Sequence, residues 1–222
     1  MDSMMMFASM AVAAAAMSGG PCCQNGTTAT GDGSVQRVAM TEPILGLQVG
    51  EEVPAGLTLS ARDGSSVDFA SLHEERPLVV TFYRGGWCPY CNVALKGWQE
   101  HAAAFKDAGY DLVFVTMESP DLATQTFEKN RIEAPVYCDK TGDFAKAFNV
   151  LFDVDAKTQE QYAQYGIDVA ASNSNGKWQL PHPGTFIVST DGKVTWAHCM
   201  ADYAKGRADP GDVLTAIKGM SH

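Results

Sequence analysis

Pro77-Leu-Val-Val-Thr-Phe-Tyr83 runs directly into Arg84-Gly-Gly-Trp-Cys-Pro-Tyr-Cys91, and this stretch decides the fold. Its first half is a continuous apolar β run, the pattern of a strand buried on both faces. Arg84-Gly85-Gly86 reads as a tight turn. Pro89 suits the first turn of a helix, where a missing N–H leaves nothing unpaired that was not already unpaired. Cys91, Leu95, Trp98, Ala102 and Phe105 then recur at spacings of four and three, one face of a helix that Gly109 stops. Trp98 lies on that apolar face and reads as core.

Outward from this unit, strands and helices alternate. Before it, Val53 to Leu59 followed by Asp63-Gly64 reads as a short hairpin. After it, Asp111–Thr116 is a second buried strand, Ser119-Pro120-Asp121 opens a helix ending near Arg131, Pro135–Cys138 is a short strand, and Phe144–Val150 is a short helix. Thr185–Thr190 and Lys193–Ala197 flank Asp191-Gly192, a hairpin turn. Asp209-Pro210-Gly211-Asp212 caps a last helix that buries Val213, Leu214 and Ile217. This order predicts an α/β domain with a central mixed sheet and helices on both faces. Residues 152–180 are polar and irregular, with a helix expected around Thr158 to Tyr165; they read as an insertion able to overhang a site.

The domain so defined spans 41–222. Residues 1–40 read differently, as a low-complexity or disordered tail: Met4 to Met17 is rich in Met and Ala, and small polar residues follow. The run has the length of a signal's apolar core, but Asp2 stands where a positive start belongs. A signal, a tail and an upstream translation start, with Met40 as the true one, are the three readings. Cytoplasmic residence is the expectation, with secretion or periplasmic export the alternative if the run is a signal. The 222 residues carry 16 Lys and Arg against 26 Asp and Glu, a net charge of −10 with no basic run, which argues against a nucleic-acid surface. No apolar stretch is long enough to span a bilayer.

Six cysteines are too few for a disulfide scaffold in a chain of this length. Cys88 and Cys91, however, have C-x-x-C spacing at a strand-to-helix junction. A thiol at a helix N-terminus meets unpaired N–H groups and the positive end of the helix dipole, so the Cys88 thiolate is expected to be favoured. Cys91, one turn on, is placed to close a disulfide. Cys88 therefore attacks and Cys91 resolves. Gly85 and Gly86 allow close backbone approach to a partner, Trp87 shelters the site from water, and Pro89 and Tyr90 complete its wall. A zinc site needs a second cysteine pair; Cys138 and Cys199 read instead as core thiols, Cys22 and Cys23 ride on the tail, and neither metal nor cofactor is expected.

Phe82–Cys91, Leu180-Pro-His-Pro-Gly-Thr-Phe-Ile-Val188, Ala201-Asp-Tyr203 and Asp209-Pro210 together resemble the peroxiredoxin-like members of the alkyl hydroperoxide reductase and thiol-specific antioxidant family. The resemblance covers about residues 44–220 and implies a thioredoxin-like fold. It implies a peroxidase in which a hydroperoxide oxidises Cys88 to a sulfenic acid, Cys91 condenses with it, and thioredoxin or a similar dithiol resets the pair. The family's Pro-x-x-x-Thr-x-x-Cys is not kept: Thr81 and Gly85 occupy the Pro and Thr positions. The family's Arg before its Gly-x-Phe strand is replaced by Pro183, which looks like the cis-proline of thioredoxins. Those departures favour a second reading, a thiol–disulfide oxidoreductase acting on protein or glutathione disulfides. A third is a redox-sensing or metal-holding module. Arg84 reads either as a partial replacement for the missing Arg or as a surface residue at a strand end, and His182 as a proton shuttle or a polar loop residue.

Overall fold

A computed structural model describes residues 45–220. The tail readings for 1–40, Cys22 and Cys23 among them, lie outside the described residues. The strands are β1 (Thr58–Ser60), β2 (Ser66–Asp68), β3 (Leu78–Phe82), β4 (Asp111–Thr116), β5 (Val136–Cys138), β6 (Leu151–Asp153), β7 (Gln179–Pro181), β8 (Thr185–Val188) and β9 (Val194–His198). The α-helices are α1 (Pro89–Asp107), α2 (Pro120–Asn130), α3 (Asp143–Ala147), α4 (Ala156–Gln164), α5 (Val169–Ser172) and α6 (Pro210–Met220).

Seven strands form one sheet in the order β2-β1-β5-β4-β3-β8-β9, and β6 pairs with β7 in a small second sheet. β3 is parallel to β4 and antiparallel to β8. Such a mixed sheet covered on both faces is the predicted α/β architecture. All five β3 residues are buried, and their alternation divides the core. Val79 and Tyr83 join Leu95, Trp98, Phe105, Phe127 and Ile217. Leu78, Val80 and Phe82 join Phe144, Phe148 and Phe186 on the other face. There Phe148 meets Phe82, Phe144 and Phe186 at ring-centroid distances of 5.3, 4.8 and 5.1 Å; such pairs contribute about 0.5–1.5 kcal/mol each beyond burial.

The ends expected for β3, α1, β4 and α2 lie within about one or two residues of those observed. Trp98 is buried and stacks on Phe105 at 5.5 Å. Ser119 Oγ accepts from the Leu122 N–H and caps α2, and Asp209 Oδ1 accepts from the Gly211 and Asp212 N–H groups before α6. The segment 152–180 is more regular than its polarity suggested. It carries most of β6, α4, α5 and β7 and buries Val154, Val169 and Leu180 in a small core of its own. Among the described residues no helix is long and apolar enough to cross a membrane.

Candidate active site

The site forms where β3 ends and α1 begins. Gly86 is held from three directions. Its N–H donates to Glu118 Oε1 at 2.9 Å, and its carbonyl accepts from Asn92 Nδ2 at 2.8 Å. Its Cα faces Thr126 so closely that any Cβ there would collide with the Thr126 hydroxyl. Asn92 also donates to the Cys88 carbonyl at 3.0 Å and is itself held by Asn130 Nδ2 at 2.6 Å. The turn is thus rigid, and it fixes the first residues of α1. Gly85 lies against the Trp87 indole with no room for a side chain.

Cys88 is the N-cap of α1, as the sequence predicts, yet its sulfur makes no capping hydrogen bond. Both thiols are free, and they are 2 % and 0 % exposed, so the expectation of an open nucleophile at position 88 is not met. Each acts on the other, so ionisation of one disfavours ionisation of the other. The charge falls on the partner not expected to carry it. Cys88 is pushed up by its hydrogen bond to Cys91, by burial and by the Cys91 charge; the Cys91 amide and Arg84 oppose this without prevailing. Burial also opposes ionisation of Cys91, but the Cys88 thiol, the Arg207 guanidinium and the Arg84 and Gly85 backbone outweigh it and bring Cys91 down to about 6. Arg207 Nη2 lies 3.4 Å from Cys91 Sγ. The helix N-terminus acts as expected; a deeper cationic partner acts more strongly.

Arg84 is 2 % exposed, so the reading of a surface residue at a strand end is not met. Its guanidinium lies over Tyr203 at 4.1 Å, Trp87 at 5.2 Å and Tyr162 at 5.6 Å, and its Nη2 donates to the Tyr162 hydroxyl. Cation–π contacts of this kind contribute about 0.5–2 kcal/mol each, and here they come from three separate chain segments. Tyr162 belongs to α4, so part of the 152–180 segment does reach the site. Trp87 packs on Tyr162 at 5.6 Å. Tyr90 is exposed and meets Tyr203 edge-on at 5.9 Å.

Pro183 lines a cavity of about 10 Å³ beside Cys91, with Thr81, Thr185, Trp98 and Arg207. That is room for about one water molecule. The predicted cis-proline is not observed: no cis peptide occurs among the described residues, so the His182–Pro183 bond is trans. The His182 ring stacks on Phe152 at 4.4 Å, and burial and Arg84 both hold it below its usual pKa, so it is neutral near pH 7. Cys138 and Cys199 are fully buried core thiols, each raised to about 12, with burial the main cause.

The sequence pattern of the AhpC/TSA family matches residues 49–197. The chain belongs to the AhpC/TSA family. The chain is similar to Peroxiredoxin Bcp of Escherichia coli strain K12, with 24% identity over 67% of this chain and 83% of the relative. Among solved structures, Peroxidoxin BcpB of Mycobacterium tuberculosis superposes with a TM-score of 0.62 at 18% identity, covering 78% of this chain and 98% of that one. The Xanthomonas campestris bacterioferritin comigratory protein gives 0.61 at 20% identity, covering 79% and 100%. The AhpC/TSA chain described here is therefore a peroxiredoxin-like, thiol-dependent oxidoreductase with the thioredoxin-like fold.

Three residues that touch the Cys88–Cys91 turn escape sequence reasoning. Arg207 precedes α6 in a polar stretch, Glu118 follows β4 in what reads as a turn, and Asn92 reads as an ordinary helix residue. Only a charged residue beside a fully apolar strand, at Glu118, carried a signal. For Arg207 the expected result of Arg207→Met is a rise of about one unit or more in the pH at which the reduced pair yields its thiolate, because an adjacent opposite charge lowers a pKa by roughly one to three units. Thiolate absorbance followed against pH measures this, with the unsubstituted midpoint near 6. An unchanged midpoint would remove Arg207 from the site.

Proposed function

We propose that this protein reduces hydroperoxides through Cys88 as nucleophile and Cys91 as resolving thiol, with thioredoxin or a similar dithiol as reductant. The observation that carries this reading is a pair of free thiols at the start of α1, with Arg207 Nη2 3.4 Å from Cys91 Sγ and the Arg84 guanidinium buried beside the turn. The Cys91 thiolate accepts the Cys88 proton as Cys88 Sγ attacks the terminal peroxide oxygen. The O–O bond breaks, the proton passes to the departing alkoxide, and Cys88 becomes a sulfenic acid. Cys91, again a thiolate, then attacks Cys88 Sγ, the S–O bond breaks, and a disulfide and hydroxide result. Arg84 sits where its charge supports the developing anion on Cys88. Gly85, Gly86, Trp87, Pro89, Tyr90 and Pro183 shape the surface that the substrate or the reductant meets. The Xanthomonas campestris relative is described for alkyl peroxide reduction, which supports the same substrate class here.

Cys-Pro-Tyr-Cys beside Pro183 keeps a second reading in view, reduction of protein or glutathione disulfides. The trans His182–Pro183 bond takes away the cis-proline likeness on which it leaned. Reduced protein mixed in turn with hydrogen peroxide, an alkyl hydroperoxide and a protein disulfide tests the choice. Consumption of a hydroperoxide at least about a hundredfold faster than by free cysteine is expected, thiolate reactivity being set by the site. A rate equal to free cysteine, with rapid disulfide reduction, would overturn it.

A further inference from the structure

Glu118 takes no part in the steps above, although it lies against the site turn. It is 2 % exposed, and its backbone is fixed: its N–H donates to Thr116 Oγ1 at 3.3 Å, and its carbonyl accepts from Ser174 Oγ at 3.2 Å. Its Oε1 accepts from the Gly86 N–H, two residues before Cys88. Its Oε2 is buried with no hydrogen-bond partner, and so is the Tyr83 hydroxyl. Among the described residues the ion pair is Lys193–Asp191, on the surface, so no cation neutralises this carboxyl. The titratable groups that face it are Tyr83 from the end of β3, Cys91 from α1 and Cys138 from β5, none of them a cation. A buried carboxylate in such surroundings is costly, and protonation relieves the cost.

We propose that Glu118 is the redox-linked proton store of the dithiol, holding a proton while Cys91 is anionic and giving it up when the Cys88–Cys91 disulfide forms. It acts on the pair through charge and through the Gly86 turn, so it is a positioning residue. The proton count leaves a place for such a store. A hydroperoxide and a thiol–thiolate pair give a disulfide, an alcohol and hydroxide; two electrons pass from sulfur to oxygen, the O–O bond breaks and the S–S bond forms. The Glu118 proton turns the hydroxide into water and leaves a carboxylate, whose negative charge the uncharged disulfide no longer opposes. Burial raises this carboxyl to about 7 in the reduced protein, against the Gly86 hydrogen bond and the nearby Tyr83 hydroxyl, and the Cys91 charge adds to the rise.

The inference rests on the peroxidase reading only for the identity of the oxidant, since any two-electron oxidant gives the same count. The dithiol–disulfide equilibrium of the whole protein is therefore titrated in glutathione buffers across pH, which needs no peroxide. In the unsubstituted protein the exchange constant with glutathione, whose own reduction takes up two protons, is expected to stay roughly level up to about 7, where two protons leave, and to fall about tenfold per pH unit above it, where one leaves. In Glu118→Gln, which keeps the oxygen that accepts from Gly86, the tenfold fall begins at about 6 or below. Superimposable profiles would overturn the proposal. If Glu118→Gln does not fold, the reduced-minus-oxidised infrared spectrum of the unsubstituted protein decides: a protonated-carboxyl band in the reduced form that disappears on oxidation is expected, and its absence overturns the proposal. Failure to consume peroxide with these signatures intact overturns the peroxidase reading alone.

Discussion

Cys88→Ser abolishes catalytic hydroperoxide reduction, with an expected loss of at least about a thousandfold in the rate of peroxide consumption. Serine fills almost the same volume at the N-cap of α1, so the turn pinned by Asn92 and Glu118 survives and the loss is chemical. A hydroxyl is far too weak an acid to be ionised by Arg84 or by the α1 N-terminus. The test is pointed because Cys91, not Cys88, carries the charge in the resting pair. In Cys88→Ser the Cys91 thiolate loses the Cys88 thiol as donor but keeps Arg207. If Cys91 were the attacking sulfur, this variant would still consume one equivalent of peroxide rapidly and would carry the sulfenic acid at position 91. Stopped-flow peroxide consumption with mass spectrometry of the trapped sulfenic acid distinguishes the two, and rapid oxidation at Cys91 would reverse the assigned roles.

Cys91→Ser is expected to consume one equivalent of peroxide and then stall, with steady-state turnover lowered by about a hundredfold or more. Two effects oppose each other in the first turnover. Loss of the Cys91 thiolate removes the base that takes the Cys88 proton. It also removes the hydrogen bond and the negative charge that push Cys88 up, leaving burial opposed by Arg84. The burst should therefore persist, and the thiol titration of this variant should report Cys88 alone. Continued turnover at the unsubstituted rate would mean that an external thiol, not Cys91, resolves the sulfenic acid.

The stretch from Pro77 to Phe105 shows what the sequence can tell and where it stops. A wholly apolar strand, two glycines and a proline at the first helical position leave few alternatives to a strand–turn–helix, and Cys91, Leu95, Trp98 and Phe105 are buried along one helix face as their spacing requires. β6 and β7 were not legible. Each is three residues long, and they exist because Leu151 pairs with Pro181 and Asp153 with Gln179 across a long separation. Local polarity around α5 gave no sign of that pairing. The dithiol shows the same limit in its chemistry. A helix N-terminus is visible in sequence and favours the Cys88 thiolate, but Arg207 arrives through a tertiary contact and, with the Cys88 thiol, moves the charge to Cys91. Arg84 lies between the two cases. Its closeness to Cys88 was readable, whereas the Trp87, Tyr162 and Tyr203 rings that enclose it come from segments with no sequence relation to one another.

Arg207 reaches Cys91 across 116 positions of chain. During synthesis the Cys-Pro-Tyr-Cys segment leaves the ribosome long before Arg207 exists, so a nascent chain carries two thiols of ordinary acidity. The Arg207 contribution to the Cys91 thiolate exists only once the C-terminal stretch has docked on the start of α1.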